Sequence, residues 1–87
     1  MKASEIIKEI GDTVFSLSNG VYTAWTIGRA DDVEDSRIEH GDPENWMAWD
    51  ADSVDAARNV ESYFAKKGMR QEGREIGTAD YVFIYTF

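Results

Sequence analysis

Trp25–His40, WTIGRADDVEDSRIEH, decides how the chain reads. Its opening residues are aromatic and β-branched, which suits a pleated, half-buried strand, and the run ends at Gly28. An acidic loop follows. Asp31-Asp32 can cap a short helix from about Val33 to Glu39, since a carboxylate there accepts from backbone N–H groups that have no partner inside the helix. Arg37 lies on that helix, and His40, the only histidine of the chain, closes it. Gly41-Asp42-Pro43 then stops it, because Pro43 lacks an N–H and has a fixed φ.

Working outward, the strand extends back over Val21–Ile27, with Val21, Thr23, Trp25 and Ile27 on one side and Tyr22, Ala24 and Thr26 on the other. Asn19-Gly20 marks a turn before it. Met1–Ser18 reads as a helix capped by Ser4, with Ile6, Ile10, Val14 and Leu17 on one face. Gly11 in its interior predicts a kink or an early end. On the other side, Trp46–Ala51 is a short strand. Asp52 or Ser53 caps a helix that runs to Lys67 with the apolar stripe Val54, Ala57, Val60 and Phe64. Asp55 in the first turn and Lys66-Lys67 in the last suit the helix dipole, and Gly68 fits the position just past the end. Met69–Ala79 reads as a loop. Tyr81–Phe87 is apolar or aromatic on both faces, which predicts a central strand. The sum is one α+β domain over residues 1–87, in the order α-β-α-β-α-β, with a three-stranded sheet packed by helices.

Eighty-seven residues make one small domain. With no cysteine, neither a disulfide nor a thiolate metal site can staple it, so its three Trp, four Tyr and four Phe must supply much of the packing. The start, MKASEIIKEIGD, is charged throughout and unlike a signal peptide. No apolar run approaches the ~20 residues that span a bilayer. The expectation is a cytoplasmic protein without a membrane partner.

Charge excludes more than any motif. Seventeen acids face nine bases, a net charge of −8. Phosphate-binding surfaces gain affinity from Lys and Arg, so direct nucleic-acid binding is not expected. The imbalance is concentrated between Asp31 and Asp55, where Asp31, Asp32, Glu34, Asp35, Glu39, Asp42, Glu44, Asp50, Asp52 and Asp55 accompany one base, Arg37. These acids lack the spacing of a calcium loop, and a solvated acidic face is the simpler reading.

Few residues offer chemistry. His40 can act as a general base or metal ligand, although a histidine at a helix end is more often a surface or capping residue. Glu61 sits beside the apolar stripe, where a carboxylate can hold a hard cation such as Mg²⁺ if substrate phosphates complete the shell. Helical periodicity alone puts it on the flank, with its charge in water. Arg37 can clamp a phosphate or neutralise Glu34 and Asp35, the reading its neighbours favour. Trp25, Trp46 and Trp49 can stack on bases, but in a domain this small they read as core. No phosphate loop and no nucleophile–histidine arrangement follows from the spacing.

The run Thr26-Ile27-Gly28 with His40 twelve positions on resembles the second half of a GIY-YIG nuclease domain. In that family a Tyr-Ile-Gly strand leads into a helix bearing a catalytic Arg and often a His, and a later helix supplies a metal-binding Glu. Ala57–Phe64, with Glu61, is similar to that later helix. The resemblance spans roughly Val21–Phe64. It implies Arg37, His40 and Glu61 as catalytic residues, Glu61 as the ligand of one Mg²⁺ or Mn²⁺, and phosphodiester cleavage by a tyrosine-activated water. The chain departs from the pattern in three places. Thr26 stands where the family has tyrosine. Gly20-Val21-Tyr22 lies too close to be the first motif. The helix position of the family arginine falls on Ser36, and Arg37 is turned about 100° from it. Tyr81 or Tyr85 would have to replace the missing tyrosine.

Phosphoryl transfer depends on positioning and on positive charge at the phosphate, so these departures predict a scaffold without efficient chemistry and with no cofactor. The expected function is an acidic protein-binding module that presents Asp31, Asp32, Glu34 and Asp35 to a basic protein, in the extreme case by mimicking nucleic acid. The alternative is a divergent Mg²⁺- or Mn²⁺-dependent endonuclease. A third reading is a small domain whose helices pack against an identical copy, forming a homodimer.

Overall fold

The computed structural model describes residues 1–31, 37–39, 41–71 and 80–86. It is a small α+β domain with a mixed sheet of four strands, β1 (Thr26–Ala30), β2 (Asn45–Asp50), β3 (Arg70–Gln71) and β4 (Tyr81–Thr86), in the order β2-β4-β1-β3. β4 runs antiparallel to both of its neighbours, and β3 is parallel to β1. β4 is therefore central, as its two apolar faces predict. The fourth strand corrects the three-stranded expectation. Arg70–Gln71, within the expected loop, pairs with Thr26 and Ile27. Two residues are too few to show an alternation.

Two helices, α1 (Ala3–Ser18) and α2 (Val54–Lys67), cover one face of the sheet. The core joins Ile6, Ile10 and Val14 of α1 and Ala57, Val60 and Phe64 of α2 to Ile27, Val82 and Ile84 of the strands. α1 is continuous through Gly11, so the expected kink is absent. It starts one residue before Ser4. The Lys2 N–H donates to Glu5 Oε1 at 3.1 Å, and Ser4 lies inside the first turn. Leu17 is 54% exposed, so the buried stripe ends at Val14. A methyl group added at Gly11 would lie 3.9 Å from the Tyr22 hydroxyl, an ordinary contact. Gly11→Ala should therefore stabilise the domain by about 0.5–1 kcal/mol, the helix-interior difference between the two residues, measured as a rise in the urea midpoint at unchanged slope.

The ends of α2 match their sequence signals. Ser53 Oγ accepts from the Ala56 N–H at 3.1 Å. Gly68 ends the helix at φ 116, and its N–H returns to the Ala65 carbonyl. A side chain at Gly68 would be strained by that φ and would approach Thr23 Cγ2 to 3.3 Å. Gly68→Ala should cost more than about 1 kcal/mol, in contrast to the gain at Gly11, and a pair of urea titrations checks both signs.

The strand predicted over Val21–Ile27 begins later. Asn19 ends α1 in the left-handed region, Tyr22–Ala24 form a 3-10 turn, and only Thr26 onward is extended. The alternation assigned to Val21, Thr23 and Trp25 is therefore lost. Trp25 is instead a buried anchor between the turn and the strand, 1% exposed, with its Nε1–H donating to Ser18 Oγ at 3.0 Å. β1 also does not stop at Gly28. It continues through Arg29 to Ala30. Residues 37–39 are helical within the short helix expected there, whose remaining residues up to Ser36 lie outside the described residues, as does His40.

The face of the sheet away from the helices is aromatic. Trp46, Phe83 and Tyr85 stack nearly parallel, with the Trp46 and Phe83 rings 4.6 Å apart at 15°. Phe83, Gly28 and Ala30 are buried on this side. The chain linking the parallel strands β1 and β2 contributes the fully buried Pro43. Among the described residues no helix is long and apolar enough to cross a membrane.

Candidate functional site

Strand β1 carries different chemistry on its two faces. Ile27 and Arg29 point to the helices, and Thr26, Gly28 and Ala30 point away, since successive strand side chains alternate. This separates the residues that the family resemblance would bring together.

On the helical face, Arg29 and Glu61 meet. Both are buried, 6% and 7% exposed, and Arg29 Nε donates to Glu61 Oε1 at 3.3 Å. Glu61 is therefore neither at the flank of α2 nor reaching to water. It turns inward among Ala57, Val60 and Phe64 and takes up a guanidinium from the central sheet. Two charges leave water only if each satisfies the other, because an unpaired one would cost several kcal/mol. The sequence reading missed Arg29 because its partner is 32 positions away. The available signal was the coincidence of an arginine in a strand and a glutamate beside an apolar stripe. Each is out of place alone, and they are compatible as a pair. Among the described residues no three His, Cys, Asp or Glu side chains gather as a metal site would require.

Arg37, the other candidate cation, is half-buried and lies 2.7 Å from Asp42 Oδ1 through its Nε. It neutralises an acid in the turn after the helix; Glu34 and Asp35, the partners expected from the sequence, lie outside the described residues. The backbone closes that turn: the Asp42 N–H donates to the Arg37 carbonyl at 2.9 Å and the Gly41 N–H to that of Ile38 at 3.1 Å. His40, Asp32, Glu34 and Asp35 lie outside the described residues, so of the predicted acidic docking residues Asp31 alone is placed, exposed at the end of β1.

Thr26, at the position of the family tyrosine, lies on the face away from Glu61. Its cross-strand partner on one side is Tyr85, so of the two tyrosines considered as replacements, Tyr85 adjoins Thr26. Tyr81 pairs with Ala30 at the far end of the strand. Glu61 and Tyr85 thus address opposite faces of the sheet.

The three tryptophans divide among roles. Trp25 is core. Trp49 packs partly against the core, its Nε1–H 3.4 Å from Glu9 Oε1. Trp46 belongs to the aromatic layer on the other face.

The Met1 ammonium lies against the end of β2. It donates to the Asp50 carbonyl at 2.6 Å and sits 2.9 Å from Asp52 Oδ1, while the Asp52 N–H donates to the Met1 carbonyl at 2.8 Å. The hydrogen bond to Asp52 raises the pKa of the ammonium above its usual 8.0. A raised folded-state pKa adds stability that is fully present below the unfolded value and is lost as pH rises through the folded one. The polypeptide beginning at Met1 should therefore lose a small increment of stability above pH 8.0, and Asp52→Asn should flatten that part of the profile. Urea midpoints measured across this range check it.

No family model, no curated protein and no solved structure matches the chain.

Proposed function

We propose that the chain is a degenerate GIY-YIG-like domain that works as an acidic binding module for a basic protein and is catalytically silent. One observation carries the binding reading. Between residues 31 and 55 every described acid, namely Asp31, Glu39, Asp42, Glu44, Asp50, Asp52 and Asp55, is exposed, while the one base of that stretch, Arg37, is already engaged by Asp42. Asp42 is engaged by Arg37 and Asp52 by the Met1 ammonium, and the acids of the stretch still far outnumber its one base, in a protein of net charge −8. Such a surface steers a basic partner and repels phosphate. The silent reading is supported by the engagement of Glu61 by Arg29 inside the core and by its separation from Thr26 and Tyr85 across the sheet.

The test is a binding series with a basic protein recovered by cross-linking at low ionic strength. Affinity should fall steeply with added salt and drop at least tenfold when Asp31, Asp32, Glu34 and Asp35 are changed to their amides. An affinity indifferent to both manipulations would overturn the reading. Cleavage of a labelled oligonucleotide with Mg²⁺ or Mn²⁺ that disappears in Glu61→Gln would replace it with an endonuclease.

A further inference from the structure

One cleft has no part in the acidic face. It lies at the end of the sheet where β1 and β3 begin and β4 ends. Its volume is about 450 Å³, and it is lined by Thr23, Ala24, Trp25, Thr26, Arg70, Tyr85 and Thr86. That size falls within the range of small-molecule sites, roughly 300–1,000 Å³.

The register explains why its polar groups converge. Thr26 is the partner of Arg70 on β3 and of Tyr85 on β4. Paired residues project from the same face, and adjacent strands are about 4.8 Å apart. Arg70, Thr26 and Tyr85 therefore stand side by side across three strands, on the face away from the helices. Two contacts fix the arginine and one wall. The Arg70 N–H donates to the Trp25 carbonyl at 3.0 Å, and Trp25 is itself locked into the core.

Charge makes the row unusual. Acids outnumber bases almost two to one, yet among the described residues the Arg70 guanidinium forms no ion pair, unlike those of Arg29 and Arg37. The hydroxyls of Thr23, Thr26 and Thr86 have no side-chain hydrogen bond among these residues either. A guanidinium fork flanked by hydroxyl donors fits the oxygens of a carboxylate or a phosphate. Among the described residues no carboxylate lines the cleft to repel such a group.

We propose that this cleft binds a small molecule through an oxyanion headgroup, a carboxylate or a phosphate, with Arg70 supplying the charge and Thr26 and its neighbours the hydroxyl donors. This site is independent of the acidic face and does not rest on the binding-module reading.

The test titrates the full chain separately with inorganic phosphate and with acetate, each against chloride at equal ionic strength, and follows backbone amide and indole N–H shifts. Saturable shifts confined to Thr23–Thr26, Arg70, Tyr85 and Thr86 are expected with at least one anion, and the anion that saturates identifies the headgroup. Arg70 is exposed, so Arg70→Gln should fold normally while weakening binding at least tenfold. Lys67→Gln removes an exposed cation outside the cleft and should leave binding unchanged. Thr26→Val should weaken it about tenfold, the loss of one hydrogen bond to a charged group. No saturable shift with either anion, or equal binding by Arg70→Gln, would overturn the proposal.

Discussion

Replacing Glu61 with alanine should destabilise the domain by about 3–5 kcal/mol, the cost of breaking a buried ion pair by removing one member. A chain of this length has about 4–13 kcal/mol in total, so the variant should be largely unfolded in mild denaturant. The effect comes mainly from what is left behind. Arg29 is buried on the helical side of β1, and a guanidinium cannot shed its proton. Arg29→Met should cost less, because a carboxylate left alone can take up a proton and become neutral. The double variant Arg29→Met, Glu61→Leu should recover most of the loss, since well-packed apolar residues often replace a buried pair with little penalty. Urea denaturation of the two single variants and the double variant gives the coupling directly. A Glu61→Ala protein as stable as the parent would mean that the pair does not form.

The second large effect is expected at Trp25. Its side chain is fully buried in the core that also contains Val14 and Phe64. Trp25→Ala should cost about 3–5 kcal/mol, from lost burial together with the cavity left behind. The hydrogen bond to Ser18 is the smaller part. Ser18 Oγ also donates to the Val14 carbonyl at 2.8 Å, so removing the indole does not strand the hydroxyl. Trp25→Phe, which keeps an aromatic ring in place, should therefore lose only about 1–2 kcal/mol. A Trp25→Phe loss equal to that of alanine would assign the stability to the hydrogen bond instead of the burial. The same series reports on the cleft, because Trp25 is one of its walls.

How much of this was legible in the sequence depended on how local the determinants are. The second helix was readable because all its signals lie within its own length: Ser53 at the cap, Asp55 and Lys66-Lys67 at the matching ends of the dipole, and Gly68 at the stop. Tyr81–Thr86 announced a central strand because both faces are apolar. The first strand was misplaced because the β propensity of Val21–Trp25 gave way to the turn begun by Asn19-Gly20, so the strand starts at Thr26. β3 gave no signal, being an edge strand only two residues long and held by its partner rather than by its own pattern. The site followed the same rule. Glu61 was recognised as out of place beside an apolar stripe, but the residue that explains it is Arg29, on a strand 32 positions earlier. The row Arg70–Thr26–Tyr85 exists only once the register of three strands is known. No composition or spacing contains it.

The most direct test of the account is whether Glu61 serves Arg29 or a metal. A Mg²⁺ titration of the labelled protein, followed by amide shifts and ended by adding a labelled oligonucleotide, separates the two. No saturable shift is expected at Gly28, Arg29, Val60 or Glu61, and the oligonucleotide should stay intact. Saturable shifts at those residues, with cleavage lost in Glu61→Gln, would contradict it.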